Sequence, residues 1–346
     1  MEEIYSKQMA NLDHLKGFLV YIPCHTDFEM AKMQAVNLRN QFQLLDDQQQ
    51  KYIEKLYIII SVNGVKLSKF EIESLKTVCD ELIYTPIEIG ADLNIAQGFF
   101  KAIQVLSEFF WILSTNDKIG ASAVNEIVNI FLANPDCDLI GADENNVSRK
   151  IEVDNVIFKP IDGIHFGLIS AVIYRSKNVI NNFPAALRLN WTGWGQLGVI
   201  QASCFSNKKL LVVTIPKDVI FREMAADRSH KGDELELNSA YYSHSFFGMP
   251  LLIASLFAND KRLKRRFLNS WLFSNWYKVS LFSSLPESEY QLKGISGPYW
   301  RQSLAEDLIK VNGVFSRVVY FVGKVIDWES FRNVKFAQSL KKWFKP

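Results

Sequence analysis

Cysteine is scarce and solitary: Cys24, Cys79, Cys137 and Cys204 stand apart, with no C-x-x-C pair among them. Nothing here reads as a disulfide framework, and the thiols read as reduced, as in a cytoplasmic protein. The five histidines (His14, His25, His165, His230, His244) show no H-E-x-x-H or other zinc spacing, and no G-x-S-x-G occurs. Zinc-enzyme and hydrolase readings are left without a motif. No G-x-G-x-x-G follows the first apolar run and no G-x-x-x-x-G-K-[ST] is present, so the glycine loops that cradle phosphates in dinucleotide and P-loop sites are missing. No apolar run reaches the ~18 residues of a membrane span, and Met1-Glu2-Glu3-Ile4-Tyr5 lacks the basic-then-apolar order of a signal peptide. Neither secretion nor a transmembrane helix is expected.

What is there is an ordinary folded composition with many rings. The chain has 346 residues, 48% hydrophobic and 22% charged, with 25 Phe, 12 Tyr and 8 Trp. That is more aromatic surface than a core strictly needs, and some rings are expected to face a ligand, a partner or a membrane surface. The net charge of +2 hides an asymmetry: residues 261–346 carry 16 Lys/Arg against 6 Asp/Glu, leaving residues 1–260 with 23 against 31. An acidic body and a basic tail suggest two tasks.

From Gly17 to about Gly141, short apolar runs alternate with segments of helical period. Phe18 to Ile22 is a strand stopped by Pro23, and Leu56 to Val62 is a strand stopped by the turn pair Asn63-Gly64. Phe28 to Phe42 and Phe70 to Val78 read as helices, and Gly90 opens a longer one in which Ile95, Phe99, Ala102, Ile103 and Leu106 share a face. Phe109 to Leu113 reads as a fully buried strand. The alternation implies an α/β fold with a mainly parallel sheet, whose ligands sit beyond the carboxyl ends of the strands. Those ends carry Cys24-His25-Thr26-Asp27, Asn63-Gly64, Ile87-Glu88 and Ser114-Thr115-Asn116-Asp117-Lys118. Beyond Gly141 come a polar stretch from Asp143 to Lys150, a strand-like Ile164 to Tyr174, an aromatic loop from Asn190 to Gln196, and a strand from Leu210 to Ile215. Phe221 to Glu236 has the composition of a charged lid.

The order of strand-Pro, strand-Asn-Gly, glycine-led apolar helix and then Trp111-Ile112-Leu113-Ser114-Thr115-Asn116-Asp117 resembles family 2-like glycosyltransferases of the GT-A fold, over about residues 17–220. Within that family the likeness is to bacterial surface-polysaccharide enzymes. The resemblance implies a GT-A domain over 1–258, with a nucleotide-sugar half (about 17–141) and an acceptor half (about 142–258), followed by a helical C-terminal region over 259–346. It also implies transfer of a sugar from a nucleotide-linked donor, expected to carry uridine diphosphate, to a glycan of capsule, O-antigen or lipooligosaccharide type. Inverting transfer is the expectation, with retention left open.

In the family an acidic D-x-D-type motif holds Mn²⁺ or Mg²⁺ against the donor's diphosphate, because a hard cation takes oxygen ligands and neutralises the leaving group. Asp117 matches its last acid, but Thr115 stands where the first would be. Asp117 is read either as that metal ligand or as the cap of a helix starting near Ala121. Asp136-Cys137-Asp138 is a literal D-x-D, but it precedes the strand Leu139-Ile140 and is read as a solvated turn. His244 is read as a second metal ligand or a hydrogen-bonded structural residue. Pro23, His25, Asn63, Asp92 and Asn116 are the candidates for holding the nucleotide, Asn63 being compatible with a tight turn as well.

Trp191, Trp194 and Gln196 form the expected acceptor loop. Gln196 occupies the place of the family's acidic base and glutamine cannot act as one, so Asp162, Asp218 and Glu223 stand as unranked substitutes, the first two beside Asp117 in the catalytic set. The basic, aromatic tail is read either as a peripheral membrane contact that keeps the enzyme near a lipid-linked acceptor, or as a packed helical cap. No nucleic-acid partner is expected. The competing reading is a GT-A module with decayed chemistry, serving as a glycan-binding or scaffolding subunit.

Overall fold

The computed structural model describes residues 17–223 apart from 26, 88, 158–160, 165 and 190–193, together with 249, 252, 253, 255, 256, 260, 262–264, 266 and 268. The side chains of Asp92, Arg222 and Glu223 also lie outside the description. The chain divides into two units, Met1–Arg228 and Ser229–Pro346. In the second, Leu252, Ile253 and Leu268 are buried, and the Asp260 carboxylate accepts from the backbone N–H of Leu263 at 2.9 Å. All the described strands belong to the first. Among the described residues, no helix is long and apolar enough to cross a membrane.

The first half runs β1 (Gly17–Cys24), α1 (Phe28–Gln43), α2 (Asp47–Tyr52), β2 (Lys55–Asn63), α3 (Lys69–Lys76), β3 (Glu81–Thr85), α4 (Ala91–Val105) and β4 (Phe109–Ile112). The second runs β5 (Asp117–Ile119), α5 (Ala123–Ala133), β6 (Leu139–Asp143), β7 (Lys150–Val153), β8 (Val172–Arg175), α6 (Ser176–Val179), α7 (Pro184–Arg188), α8 (Gly195–Asn207), β9 (Leu210–Pro216), α9 (Lys217–Ile220) and β10 (Phe221–Glu223). Eight strands form one sheet in the order β3-β2-β1-β4-β8-β6-β9-β7, and β10 pairs separately with β5. The pairs β3-β2, β2-β1, β1-β4 and β6-β9 are parallel, while β8 opposes both its neighbours and β7 opposes β9. Two reversals across β8 return β6 to the direction of β4, so β1, β2, β3, β4, β6 and β9 end on one rim. The mainly parallel α/β sheet expected from the sequence is the one observed.

Local chemistry explains the elements. Phe18 to Ile22 and Ile58 to Ile60 are fully buried, as strands covered on both faces must be. The helices begin where side chains satisfy their free N–H groups: Asp27 accepts from Met30, and Asp46 and Ser68 open capping boxes closed by Gln49 and Glu71. Period-two alternation then sorts the rings of β4. Phe109 joins Phe18, Tyr52 and Phe131 on one face of the sheet. Phe110 joins Phe99, Tyr174 and Phe183 on the other.

Four local expectations change. Asp117 does not cap a helix near Ala121: it opens β5, and α5 begins at Ala123 behind Ser122. Strand structure between Ile164 and Tyr174 is confined to β8, which follows a 3₁₀ turn at Ile169–Ala171, while Ile164 makes a single bridge to Asp143. The polar stretch after Asp143 leads into β7, a half-exposed edge strand. Phe221 to Glu223 is a strand opposite β5 rather than the start of a lid, and the rest of the charged segment, with Arg228 and Lys231, lies outside the described residues.

Candidate functional site

The shared rim of the parallel strands carries most of the candidate residues. At the end of β1, half-buried Pro23 pairs in register with Ser61, and exposed His25 donates from Nδ1 to the carbonyl oxygen of Asn63 at 3.1 Å. That bond leaves Nε2 as the basic nitrogen of the neutral ring. Asn63, 3% exposed at the end of β2, returns the tie by donating from Nδ2 to the carbonyl of Cys24 at 3.3 Å. Gly64 turns the chain with φ of 74°, in the left-handed region, and its N–H donates to Thr85 on β3 at 3.1 Å. The Asn63-Gly64 pair is therefore a tight turn and a rim element at once.

Beneath the rim lies a polar network that the sequence does not announce. The Tyr21 hydroxyl donates to Oδ1 of Asn94 at 2.7 Å, and Ser61 donates to Oε1 of Gln97 at 3.4 Å. Burial pushes the Tyr21 hydroxyl far above the ordinary tyrosine range. The network ties α4 to β1 and β2, and the approach is close: a Cβ on Gly98 would stand 2.7 Å from the Tyr21 ring. Asp92 is in the first turn of α4, close to this rim.

After β4 the chain makes the turn Ser114 to Asp117. The Asp117 N–H donates to the Ser114 carbonyl at 3.2 Å, and the Asn116 N–H to the Ser114 hydroxyl at 3.1 Å. Ser170 accepts the Ser114 N–H at 2.9 Å. Thr115 is buried, Asn116 is exposed, and Asp117 is half-exposed as it enters β5. Glu223 stands opposite Asp117 in the β5-β10 register.

At the end of β6, Asp143 is fully buried. Its carboxylate takes the Arg149 guanidinium at 3.1 Å and the Asn145 N–H at 2.8 Å. Asp162 is exposed: its carboxylate accepts from Nδ2 of Asn145 at 3.1 Å, and its backbone carbonyl accepts from Arg149. Gly163 closes the loop at φ of 81°, where a Cβ would run into Oδ1 of Asp143. Asp218 is exposed in the first turn of α9, after β9. Trp194, half-buried, precedes α8 with its ring against Gly167, and Gln196, 6% exposed, donates from Nε2 to the Gly167 carbonyl at 2.5 Å.

Pro23, His25, Asn63, Asn116, Asp117 and Asp218 are thus at strand ends on one rim, and Asp162 is joined to it through Asp143. Trp191 and His244 lie outside the described residues, as do the side chain of Asp92 and nearly all of the basic tail. The literal D-x-D is at the opposite rim. Asp136 pairs with Lys150 at 3.1 Å, Asp138 holds Asn178 and the Leu211 N–H, and Cys137 is buried between them.

For Mn²⁺ or Mg²⁺, the described residues offer Asp117 at this turn, and the remaining ligand positions would fall to water and to the donor's diphosphate. A hard cation takes about six oxygen ligands, whereas Asp117 is the one carboxylate of its turn. No group of three or more His, Cys, Asp or Glu among the described residues is arranged to hold a metal ion.

No protein-family model matches the chain, and no curated protein matches its sequence. Solved structures do share its fold. S. aureus TarS 1–349 superposes with a TM-score of 0.52 at 11% identity, covering 91% of each chain. TarS 1–349 in complex with UDP-GlcNAc gives 0.53 at 12% identity, also covering 91% of each chain. The likeness establishes the architecture: this chain has the GT-A fold that its sequence resembles.

Proposed function

We propose that the chain is a glycosyltransferase that binds a nucleotide-linked sugar at the rim formed by β1, β2 and β4 and transfers the sugar to a glycan. The observation that carries the reading is the convergence there of His25, Asn63 and the Ser114–Asp117 turn, where open α/β sheets bind ligands. The common fold with TarS, a protein that binds UDP-GlcNAc, supports a uridine-linked donor. In this reading His25 and Asn63 meet the nucleotide and Asp117 meets the donor beside its leaving group. Trp194 offers a ring to the acceptor. An acid on the β6-β9 side takes the proton of the attacking hydroxyl, and Asp162 is the better placed, because Asn145 and Arg149 fix its loop while its carboxylate stays exposed. Attack on the anomeric carbon breaks its bond to the diphosphate, which leaves with the bonding electrons. Mn²⁺ or Mg²⁺ belongs to the reading as an accompanying ion, and the basic tail as a contact with a lipid-linked acceptor or membrane surface.

Thermal unfolding with UDP, GDP and CDP and their sugar conjugates, each with Mn²⁺ or with chelator, tests it, because a ligand that binds only the native state raises Tm. The expected result is a rise with one nucleotide series, lost in Asp117→Asn while the unliganded Tm stays near wild type. No rise with any ligand in a folded protein overturns the reading. A rise without donor turnover favours the glycan-binding subunit, the competing assignment suggested by Gln196, whose amide is buried and spent on Gly167.

A further inference from the structure

Helix α1 buries one stripe: Ala31, Gln34, Ala35, Leu38 and Gln41. Two of the five are glutamines, 1% and 6% exposed, and both reach the chain around β5. Nε2 of Gln34 donates to the carbonyl of Ser114 at 2.9 Å and also to the carbonyl of Asp117. Nε2 of Gln41 donates to the carbonyl of Gly120 at 2.8 Å, while its Oε1 accepts from the Val124 N–H at 3.1 Å. The three-residue strand that begins with Asp117 is thus gripped at both ends from one helix.

The two grips differ. Gln41 has partners on both its amide atoms, whereas Oε1 of Gln34 is buried with none. An amide that faces two carbonyl oxygens must present its nitrogen to them, so the orientation of Gln34 follows from Ser114 and Asp117. Its own oxygen is left unpaired in the interior, an arrangement that a helix packed only for stability would replace with an apolar residue. From these contacts we infer that Gln34 is a positioning residue: it fixes the main chain of the Ser114–Asp117 turn and so the place of the Asp117 carboxylate relative to the donor. This inference rests on the proposed reading of the site and adds to it a residue that touches no substrate.

The test compares wild type, Gln34→Met, Gln34→Glu and Gln49→Met. Met matches the length of Gln without its donors, and Glu keeps its shape while offering no donor when ionised. Gln49 is a buried glutamine away from the rim that bonds Asn129 and caps α2, so its replacement controls for loss of a buried amide. Two readouts are taken on the full chain: hydrogen exchange of the peptide spanning 113–119, and release of UDP from UDP-GlcNAc with water as acceptor.

Both Gln34 variants are expected to speed exchange in 113–119 by about tenfold, the scale of one lost buried hydrogen bond. They are also expected to lower kcat by about 10- to 100-fold with KM little changed. Gln49→Met is expected to lower Tm and leave both readouts at wild type. Unchanged exchange in 113–119, or faster exchange with unchanged turnover, overturns the inference while the site reading stands. A wild type that neither binds nor hydrolyses any nucleotide sugar removes the site reading and the positioning role with it, whatever the exchange shows.

Discussion

Arg175 donates from Nη2 to the backbone carbonyl of Phe131 at 3.2 Å, and its guanidinium also lies 4.9 Å from the centroid of that residue's ring. The same side chain donates to the carbonyls of Cys137 and Asn134, and it is 2% exposed. A buried cation is tolerable here because it closes the carboxyl end of α5, whose last carbonyls carry partial negative charge. Arg175→Met is expected to destabilise by about 3–5 kcal/mol, because it takes the buried cation away from Glu108, 3.5 Å from it, and one donor from each of the three carbonyls. Urea denaturation at unchanged m-value measures it, and donor binding by the folded fraction should be unaffected.

Close approaches of glycine give a second expectation. A Cβ on Gly98 would meet the Tyr21 ring at 2.7 Å, and the hydroxyl of that buried ring is held by Asn94. Gly98→Ala should therefore cost about 1–3 kcal/mol, the usual range for overpacking. A Cβ on Gly120 would run into the carbonyl oxygen of Val219, which is backbone and cannot turn away. Gly120→Ala should cost more than Gly98→Ala in the same denaturation series, and should also weaken nucleotide binding by displacing β5.

The thiols set a limit at alkaline pH. Burial pushes Cys24 up to about 12, Cys137 to about 11 and Cys204 to about 12. Unfolded thiols ionise near pH ~8.5, so above that pH the unfolded chain releases protons that the native chain retains. Native stability is complete below ~8.5 and falls as pH rises toward the folded values, by about 1.4 kcal/mol per thiol per pH unit. Denaturation at pH ~7.5, ~8.5 and ~9.5 should show this slope, shallower in Cys24→Ala than in wild type. Ellman's reagent should label these three only on unfolding.

Asn63 allows the tight turn to be tested apart from the proposed nucleotide contact. Its side chain donates to Cys24 and its carbonyl accepts from His25. Asn63→Ala removes the first tie and leaves the second, which uses backbone. The expected outcome is a fall of about tenfold in nucleotide affinity, the scale of one buried hydrogen bond, with a change in Tm smaller than that of Gly98→Ala. Titration calorimetry with UDP against the unliganded melting curve checks both.

Legibility followed burial. The strands β1, β2 and β4 announce themselves as unbroken apolar runs because helices cover both their faces, and Pro23 and Asn63-Gly64 mark two of their ends. β5, β7 and β10 are three or four residues long, too short for alternation to declare a period, and β5 and β7 are partly exposed. Asp117 therefore reads as a helix cap as readily as a strand residue. Gln34 and Gln41 escape a reading of the sequence because glutamine on a helix is taken for a wet position. The signal is present, since both fall on the i, i+3, i+4, i+7 spacing of Ala31, Ala35 and Leu38. Asp143 and Arg149 lie inside a stretch that reads only as polar, because an ion pair six residues apart in a loop leaves no period in the sequence.

The antiparallel strand β8 sends its last residue, Arg175, to the rim opposite His25, Asn63 and Asp117. Tolerance to mutation is consequently split by geography. In the proposed reading, the exposed rim positions His25 and Asn116 have little packing to forfeit, while the Arg175 latch and both ring clusters stand apart from them. A library randomised at exposed residues 25 and 116 should retain a high proportion of folded members, and one randomised at buried Asn63 a lower one.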